Sequence, residues 1–408
     1  MLLTGNINGN KVSGNELKKF LQKKKILHLL YEHNSLSGTE ISNKIGVSFP
    51  TALTLLGELS DLKFVETYGT GASSGGRKPN MYRLAGNSLF VIACELGRYQ
   101  AKIIIYNSHN KAVTPVLEFD THIDDDELAE KIYENARKLI EEYKVDENKI
   151  WGIGVTMPGL IDENQGINHT IKKEEYRNVR GRLVEKFGKM VYVNNDARMQ
   201  AYGEYIFGKA KGHDNAIVIN WSWGIGLGMI INGKLYNGST GFAGELSHTK
   251  FKDEGDLCIC GKRGCLETEA SSNYLVKNAV KGVQECVISQ LTVAFRNNEH
   301  QIHPEDVIKA AKSGDEFAIT LLNKIGLALG KGISFTIQLM NPEIIVLGGV
   351  ISQANRFVLT PIQQSINKYC LDKISSNVKI VVSENWERAG LLGVSAMLFQ
   401  KLFSEIHN

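Results

Sequence analysis

Proline is scarce in this 408-residue chain, at seven residues, and cysteine scarcer, at six. With no long block of like charge, those counts exclude collagen-like, disordered and disulfide-scaffold proteins. No apolar run approaches the roughly 18 residues that a membrane helix needs, so no bilayer span and no membrane partner are expected. The opening stretch, MLLTGNINGNKVSGNELKKF, has neither an apolar h-region nor a small-residue cleavage site, which makes the cytoplasm the expected compartment. What is present is ordinary for folded domains: 43% hydrophobic, 22% charged and 8% aromatic residues. At about 100–200 residues per domain, the length suggests two or three domains.

The net charge of +3 conceals an asymmetry. Residues 1–86 hold 11 Lys+Arg against 6 Asp+Glu, whereas the remainder holds 36 against 38. A small basic module on a near-neutral body suits a nucleic-acid reader, because neutralising phosphates drives non-specific DNA affinity. Inside the module, residues 17–31 space Leu17, Phe20, Leu21, Ile26, Leu27 and Leu30 as a helix with lysines between them. Ser37 and Glu40 form a capping box for a short second helix that Gly46 can end. Ser48 caps a third helix with Pro50 in its first turn. Ala52, Leu55, Leu56 and Leu59 mark the buried face of that helix, which leaves Ser48, Phe49, Thr51 and Thr54 pointing outward. Two strands, 64–68 and 80–84, then flank a glycine- and serine-rich loop ending in Arg77-Lys78-Pro79. Helix–turn–helix with a slim basic wing is the geometry that enters a major groove and lays a guanidinium in a minor one. Ser48, Phe49, Thr51, Thr54, Arg77 and Lys78 are the candidate DNA contacts. A protein-interaction module with a flexible linker is the alternative. Gly57 weakens the third helix, which offers no Arg, Asn or Gln for bidentate base contacts.

In the body, 89–96, 101–106, 113–119 and 150–155 read as strands and 126–143 as a helix. A second series starts near 215, with strands at 344–349 and 378–382 and a last helix at 388–403. Two such runs predict a two-lobed α/β body with a cleft between the lobes. Cys258-Ile259-Cys260-Gly261-Lys262-Arg263-Gly264-Cys265 places three of the six cysteines within eight residues. Zinc takes four N or S ligands in a tetrahedron, and His248, ten residues upstream, is the natural fourth. Four protein ligands leave no open position, so the expected Zn2+ is structural; a redox pair or inert thiols are the alternatives. Cys94, Cys286 and Cys370 stand alone and read as core residues.

Gly244-Glu245-x-x-His248 followed by Cys258-x-Cys260-Gly261-x-x-Gly264-Cys265-x-Glu267 resembles the ROK family of repressors and sugar kinases. So do Pro158-Gly159, Asn195-Asp196-Ala197 and Ile345-Val346-Leu347-Gly348-Gly349. The resemblance covers 87–408, and the N-terminal module looks like that of the repressor branch, which includes xylose- and N-acetylglucosamine-responsive repressors. It implies a winged helix-turn-helix over 1–86 and an actin-like body with lobes at 87–207 and 208–408. The last helix would cross back to the first lobe. It also implies that Gly159, Asn195, Asp196, Glu245, His248 and Glu267 line a sugar site. Carboxylates suit vicinal hydroxyls, and His248 can hold zinc through one ring nitrogen while presenting the other. Singly, Asp196 could be a helix cap and Glu245 a solvated loop carboxylate.

The family's kinases hold ATP phosphates on two glycine loops. Here the first stretch reads Glu95-Leu96-Gly97-Arg98-Tyr99 and the second Ser222-Trp223-Gly224-Ile225-Gly226, with bulk where a phosphate needs backbone. The expectation is therefore not an enzyme but a regulator, probing operator DNA as a homodimer or homotetramer and sensing a sugar or sugar phosphate. The alternative is an ATP-dependent sugar kinase carrying a DNA-binding module, with Asp196 as its base. Trp221 and Trp223 could shape the pocket, stack on a sugar or simply pack.

Overall fold

A computed structural model describes residues 14–71 and 78–404. The N-terminal module comprises α1 (Gly14–His33), β1 (Leu36–Ser37), α2 (Gly38–Ile45), α3 (Phe49–Asp61), β2 (Val65–Thr70) and β3 (Asn80–Leu84). Its caps are the expected ones. Ser37 Oγ accepts from the Glu40 N–H at 3.2 Å while the Glu40 carboxylate accepts from the Ser37 N–H at 2.8 Å, and Gly46 ends α2 at φ +70°. Ser48 caps α3. Ile26, Leu27, Leu30, Ile41, Ala52, Leu55, Leu56 and Leu59 form the core of the module. The three short strands pair in the order β1-β3-β2. Arg77 lies outside the described residues.

The body continues with β4 (Phe90–Leu96), β5 (Gln100–Asn107), β6 (Leu117–Asp120), α4 (Leu128–Glu142), β7 (Ile150–Met157), β8 (Ile161–Asp162) and β9 (Ile167–Asn168). Next come α5 (Val179–Phe187), β10 (Met190–Asn195), α6 (Asp196–Phe207), β11 (Ala216–Trp221), β12 (Ile225–Ile231) and β13 (Lys234–Leu235). A helical stretch follows: α7 (Glu267–Ala270), α8 (Ser272–Gln284), α9 (Leu291–Asn297), α10 (Pro304–Lys312) and α11 (Glu316–Met340). The chain closes with β14 (Ile344–Gly348), α12 (Arg356–Tyr369), α13 (Asp372–Ser375), β15 (Lys379–Val382) and α14 (Trp386–Ser404).

Compactness divides the chain into two units. One holds the described residues of Met1–Val155, Lys173–Val193 and Val394–Asn408; the other is Thr156–Lys172 with Asn194–Gly393. The first is built on a sheet of order β10-β7-β4-β5-β6. The N-terminal module shares this unit: Tyr31 of α1 packs against Phe399 and Phe403 at ring distances of 5.5 and 5.6 Å. The second unit is built on a sheet of order β13-β12-β11-β14-β15, with β14 parallel to both its neighbours. Ile217, Ile219, Ile345 and Leu347 face its largest core, together with α11 residues such as Leu322, Leu329 and Ile333.

The boundary expected at 207/208 is displaced to the start of α6, because that helix packs on the second sheet. A Cβ at Gly226 would fall 2.6 Å from the Ala197 Cβ, and one at Gly228 only 2.4 Å from the Ala201 Cβ. Two glycines on β12 thus face two alanines on α6. Gly228→Ala should destabilise the body by about 2–3 kcal/mol through overpacking. Gly57→Ala on α3, where nothing lies within 4 Å of the added Cβ, should instead stabilise by about 1 kcal/mol. Urea unfolding of both variants checks the pair, and shifts of the same sign would contradict this packing.

Candidate functional site: a cysteine–histidine knuckle beside a carboxylate cluster

The loop after β13 folds back on itself through antiparallel bridges between Lys250 and Cys265 and between Leu257 and Arg263. Gly261 and Gly264 adopt φ of +84° and +72°, and a Cβ at Gly264 would strike the Lys252 carbonyl at 2.1 Å. The folded knuckle gathers His248, Cys258, Cys260 and Cys265 so that their ligand atoms all lie within 4.8 Å of one another. Cys258 Sγ is 3.5 Å from His248 Nδ1, and Cys260 Sγ is 3.6 Å from Cys265 Sγ. A tetrahedral ion with metal–sulfur bonds of about 2.3 Å has sulfur–sulfur edges of about 3.7 Å, so the donor spacing fits a four-coordinate metal. Burial, together with the neighbouring thiols, pushes the Cys265 thiol up to about 12. A cation among the sulfurs acts in the opposite sense, favouring thiolates. The other cysteines differ from expectation in one case. Cys94 is buried and Cys370 half-buried, but Cys286 is exposed, carried at φ +62° in the turn that ends α8.

Every candidate sugar-site residue lies in the second unit. Asn195, and not Asp196, caps α6: its Oδ1 accepts from the Arg198 N–H at 3.2 Å, while its Nδ2 donates to the Gly159 carbonyl at 3.2 Å. Gly159 holds φ +110°, and a Cβ there would meet Thr170 Oγ1 at 2.7 Å and Asn168 Oδ1 at 2.8 Å. Asp196 opens the helix, with hydrogen bonds from the Ala197 backbone and the Asn195 side chain to its buried carboxyl. Glu267, in the first turn of α7, accepts from the Ile225 N–H at 3.0 Å and lies against Gly224. Glu245 stands beside the metal loop, its Oε2 3.8 Å from His248 Nε2. The histidine thus turns Nδ1 to the sulfurs and Nε2 to a carboxylate, the arrangement that fixes a ligating imidazole.

Burial pushes all three carboxyls upward, Glu267 to about 7, with Glu245 and Asp196 adding to the rise at Glu267. Arg198 opposes this at Asp196 and Glu245. Burial lowers His248 from its ordinary value, with Lys262 acting in the same direction. Arg198 is the residue that sequence reasoning passed over. It is 2% exposed and sits in the first turn of α6, where a cation opposes the helix dipole. That mismatch was the signal in the sequence.

The two stretches compared with phosphate loops have neighbours of their own. The Gly97 N–H donates to the Gln100 carbonyl at 2.8 Å across the β4–β5 hairpin, and the Arg98 guanidinium lies 5.1 Å from the Tyr99 ring centre. In the second stretch, the carbonyls of Ser222 and Trp223 accept from the first N–H groups of α8, and Gly226 faces α6. Trp221 packs: it is fully buried, and its indole donates to the Ala270 carbonyl at 2.7 Å.

At the start of α3, Ser48, Phe49, Thr51 and Thr54 are exposed as expected, and Leu53 is exposed with them. Ser48 and Thr51 share a hydroxyl hydrogen bond of 2.8 Å, and the Thr54 hydroxyl donates to the Pro50 carbonyl at 3.0 Å. Lys78 is exposed just before β3. No described helix is long and apolar enough to cross a membrane.

The chain belongs to the ROK family, which it matches over residues 91–401. It is 29% identical over 395 residues to the xylose repressor of Caldicellulosiruptor bescii, covering 95% of this chain and 98% of that protein. It is 25% identical over 398 residues to the DNA-binding transcriptional dual regulator NagC of Escherichia coli, covering 96% and 95%. Among solved structures, it is similar to a ROK family transcriptional regulator homologous to the E. coli MLC protein, with TM-score 0.78 and 26% identity over 94% of this chain and 97% of that one. A ROK glucokinase from Streptomyces griseus shares the fold at TM-score 0.64 and 24% identity, covering 76% of this chain and 98% of the glucokinase. The fold is thus the expected one, an N-terminal helical module followed by the α/β actin-like body of the family.

Elemental analysis should find one metal equivalent per chain, lost in Cys258→Ser and in Cys265→Ser, with a lower melting temperature for both. A variant that keeps its metal would break the four-donor assignment.

Proposed function

We propose that this chain is a sugar-responsive, DNA-binding transcriptional regulator of carbohydrate metabolism genes. One observation carries the reading: a capped helix–turn–helix with an exposed polar α3 is joined to a body in which Asn195, Asp196, Glu245 and Glu267 converge. The named relatives that span nearly all of the chain are transcriptional regulators. The share of this chain covered falls from 94% for the regulator structure to 76% for the glucokinase, a difference close to the size of the N-terminal module.

In this reading, Ser48, Phe49, Thr51 and Thr54 meet the major groove and Lys78, with Arg77, a phosphate or the minor groove. Gly159, Asn195, Asp196, Glu245, His248 and Glu267 take the sugar, whose hydroxyls donate to the carboxylates. The knuckle holds structural Zn2+ on His248, Cys258, Cys260 and Cys265, and Zn2+ supplies no chemistry beyond fixing the loop that carries Glu267. A symmetric homodimer or homotetramer places paired modules on half-sites about one helical turn apart. Sugar relieves repression by binding one conformer better, with about 1–3 kcal/mol of coupling. The crowded glycines and the Arg98 and Tyr99 side chains speak against ATP turnover.

A second reading, a sugar kinase, is favoured by Asp196, a carboxylate that burial raises from its ordinary value, as a base would be. Thermal-shift screening of metal-loaded protein against sugars and sugar phosphates, with and without Mg-ATP, separates the two. A sugar at about 100 times its dissociation constant should stabilise the fold by about 2.7 kcal/mol. ATP should add nothing. Sugar-dependent ATP consumption that disappears in Asp196→Asn would overturn the regulator. On operator DNA, Lys78→Ala should weaken binding and reduce the salt slope by about one ion. An unchanged slope would remove Lys78 from the interface.

A further inference from the structure

The outward face of α3 is poor in polar groups for a helix read as the one that meets DNA. Pro50, Thr54 and Gly57 lie opposite its buried stripe of Ala52, Leu55, Leu56 and Leu59. Phe49 and Leu53 border them on one side, 46% and 38% exposed. From Phe49 to Gly57 there is no charged side chain and no amide. Of the three hydroxyl protons of Ser48, Thr51 and Thr54, two are committed within the helix. Ser48 and Thr51 bond each other at 2.8 Å, and Thr54 donates to the Pro50 carbonyl at 3.0 Å. Phe49 and Leu53, one turn apart, both lean on the first residue of α2: a Cβ at Gly38 would fall 3.1 Å from the Phe49 ring and 3.3 Å from Leu53 Cδ2. The two side chains thus form one apolar ridge, seated on α2 where Gly38 leaves room.

The charge around this ridge points to a polyanion as its partner. Residues 1–86 hold 11 Lys+Arg against 6 Asp+Glu. Lys44 near the end of α2 and Lys78 before β3 are exposed. Glu58, the first acidic residue of α3, is paired with Lys19 and Lys23 of α1. In the major groove of DNA, the apolar feature of a base edge is the thymine 5-methyl group.

We infer that Leu53, propped by Phe49, is a specificity-determining residue of α3, which selects operators by packing on a thymine 5-methyl group in each half-site. The inference rests on the DNA-binding reading and deepens it. Thymine and uracil share every hydrogen-bonding edge, so a contact made through the methyl alone tells them apart. Burying one such group corresponds to about fourfold in affinity.

The test uses the full, metal-loaded chain and a pool of random-sequence DNA duplexes. Duplexes enriched by the wild type are resynthesised with deoxyuridine in place of thymidine, one position at a time. Their affinities are measured for the wild type, Leu53→Ala and Leu53→Met at one fixed salt concentration. For the wild type, at least one replacement in each half-site should weaken binding about fourfold. In Leu53→Ala the same replacement should change the affinity by less than about twofold, because the methyl group has lost its partner. Leu53→Met, which keeps an apolar side chain of similar size, should retain the thymine preference. Because both duplexes are measured on the same variant, a general loss of stability does not change their ratio, and the wild-type scan stands even where a variant fails to fold. A wild type indifferent to every replacement, or a thymine preference unchanged in Leu53→Ala, would overturn the inference and leave the DNA-binding reading intact. Enrichment of no duplex at all would overturn the DNA-binding reading, and the inference with it.

Discussion

The close approach of α6 to the second sheet is the contact on which the polar cluster depends. Gly226 and Gly228 remove side chains from β12 at the points where Ala197 and Ala201 arrive. On another side of the helix, a Cβ at Gly203 would strike the Ala389 carbonyl at 2.0 Å, and one at Gly393 the Met199 carbonyl at 1.8 Å. Backbone thus meets backbone along two faces of one helix, and packed interiors admit few alternative positions. Asn195 at its N-cap and Asp196 and Arg198 in its first turn inherit that fixed placement. The strand it touches begins at Ile225, whose N–H holds Glu267. A single packing contact therefore registers the two ends of the cluster.

The four-donor knuckle bears on the same cluster through the chain itself. Cys265 is two residues from Glu267, and the Leu266 N–H donates to the Thr249 carbonyl at 3.1 Å, beside His248. Leu266 is fully buried in the core of the unit, where it also occupies the space left by Gly332 on α11. The loop is thus pinned by an apolar anchor between a donor of the knuckle and a carboxylate of the cluster. Burial raises the Cys258 and Cys265 thiols, while hydrogen bonds and Lys262 lower that of Cys260, and a cation among the sulfurs would favour all three as thiolates.

Local signals were legible in the sequence where one short segment decides the outcome. Ser37 with Glu40, Gly46, and Ser48 with Pro50 each act within four residues, and all three caps appear in the structure. The cysteine spacing foretold the four-donor cluster for the same reason, since a ten-residue loop can close only a few ways. What escaped the sequence depends on distant partners. The lobe boundary was misplaced because α6 follows β10 in the chain yet packs on β12, which only the glycine–alanine match reveals. Arg198 was missed because an arginine among helix residues reads as solvated until its neighbours are known. Cys286 was assigned to the core on residue type, but the end of α8 puts it in a left-handed turn at the surface.

The seating of the N-terminal module bears on how a regulator of this design can respond. Tyr31 of α1 lies on Phe399 and Phe403, and its hydroxyl accepts from Asn110 Nδ2 at 2.9 Å, while Ser395 donates to the same asparagine at 3.2 Å. His109 Nε2 is 2.8 Å from the Leu84 carbonyl at the end of β3, and the Ser108 hydroxyl donates to the Ala85 carbonyl at 3.0 Å. The module is therefore held at the end of α1 and at the base of the wing, both against the first sheet's unit. A module so held presents α3 in a fixed direction relative to the first sheet. The α3 face it presents is already partly satisfied within the helix, through the Ser48–Thr51 and Thr54–Pro50 hydrogen bonds. With few free side-chain donors there, the exposed side of α3 offers mainly methyl and ring edges for contact.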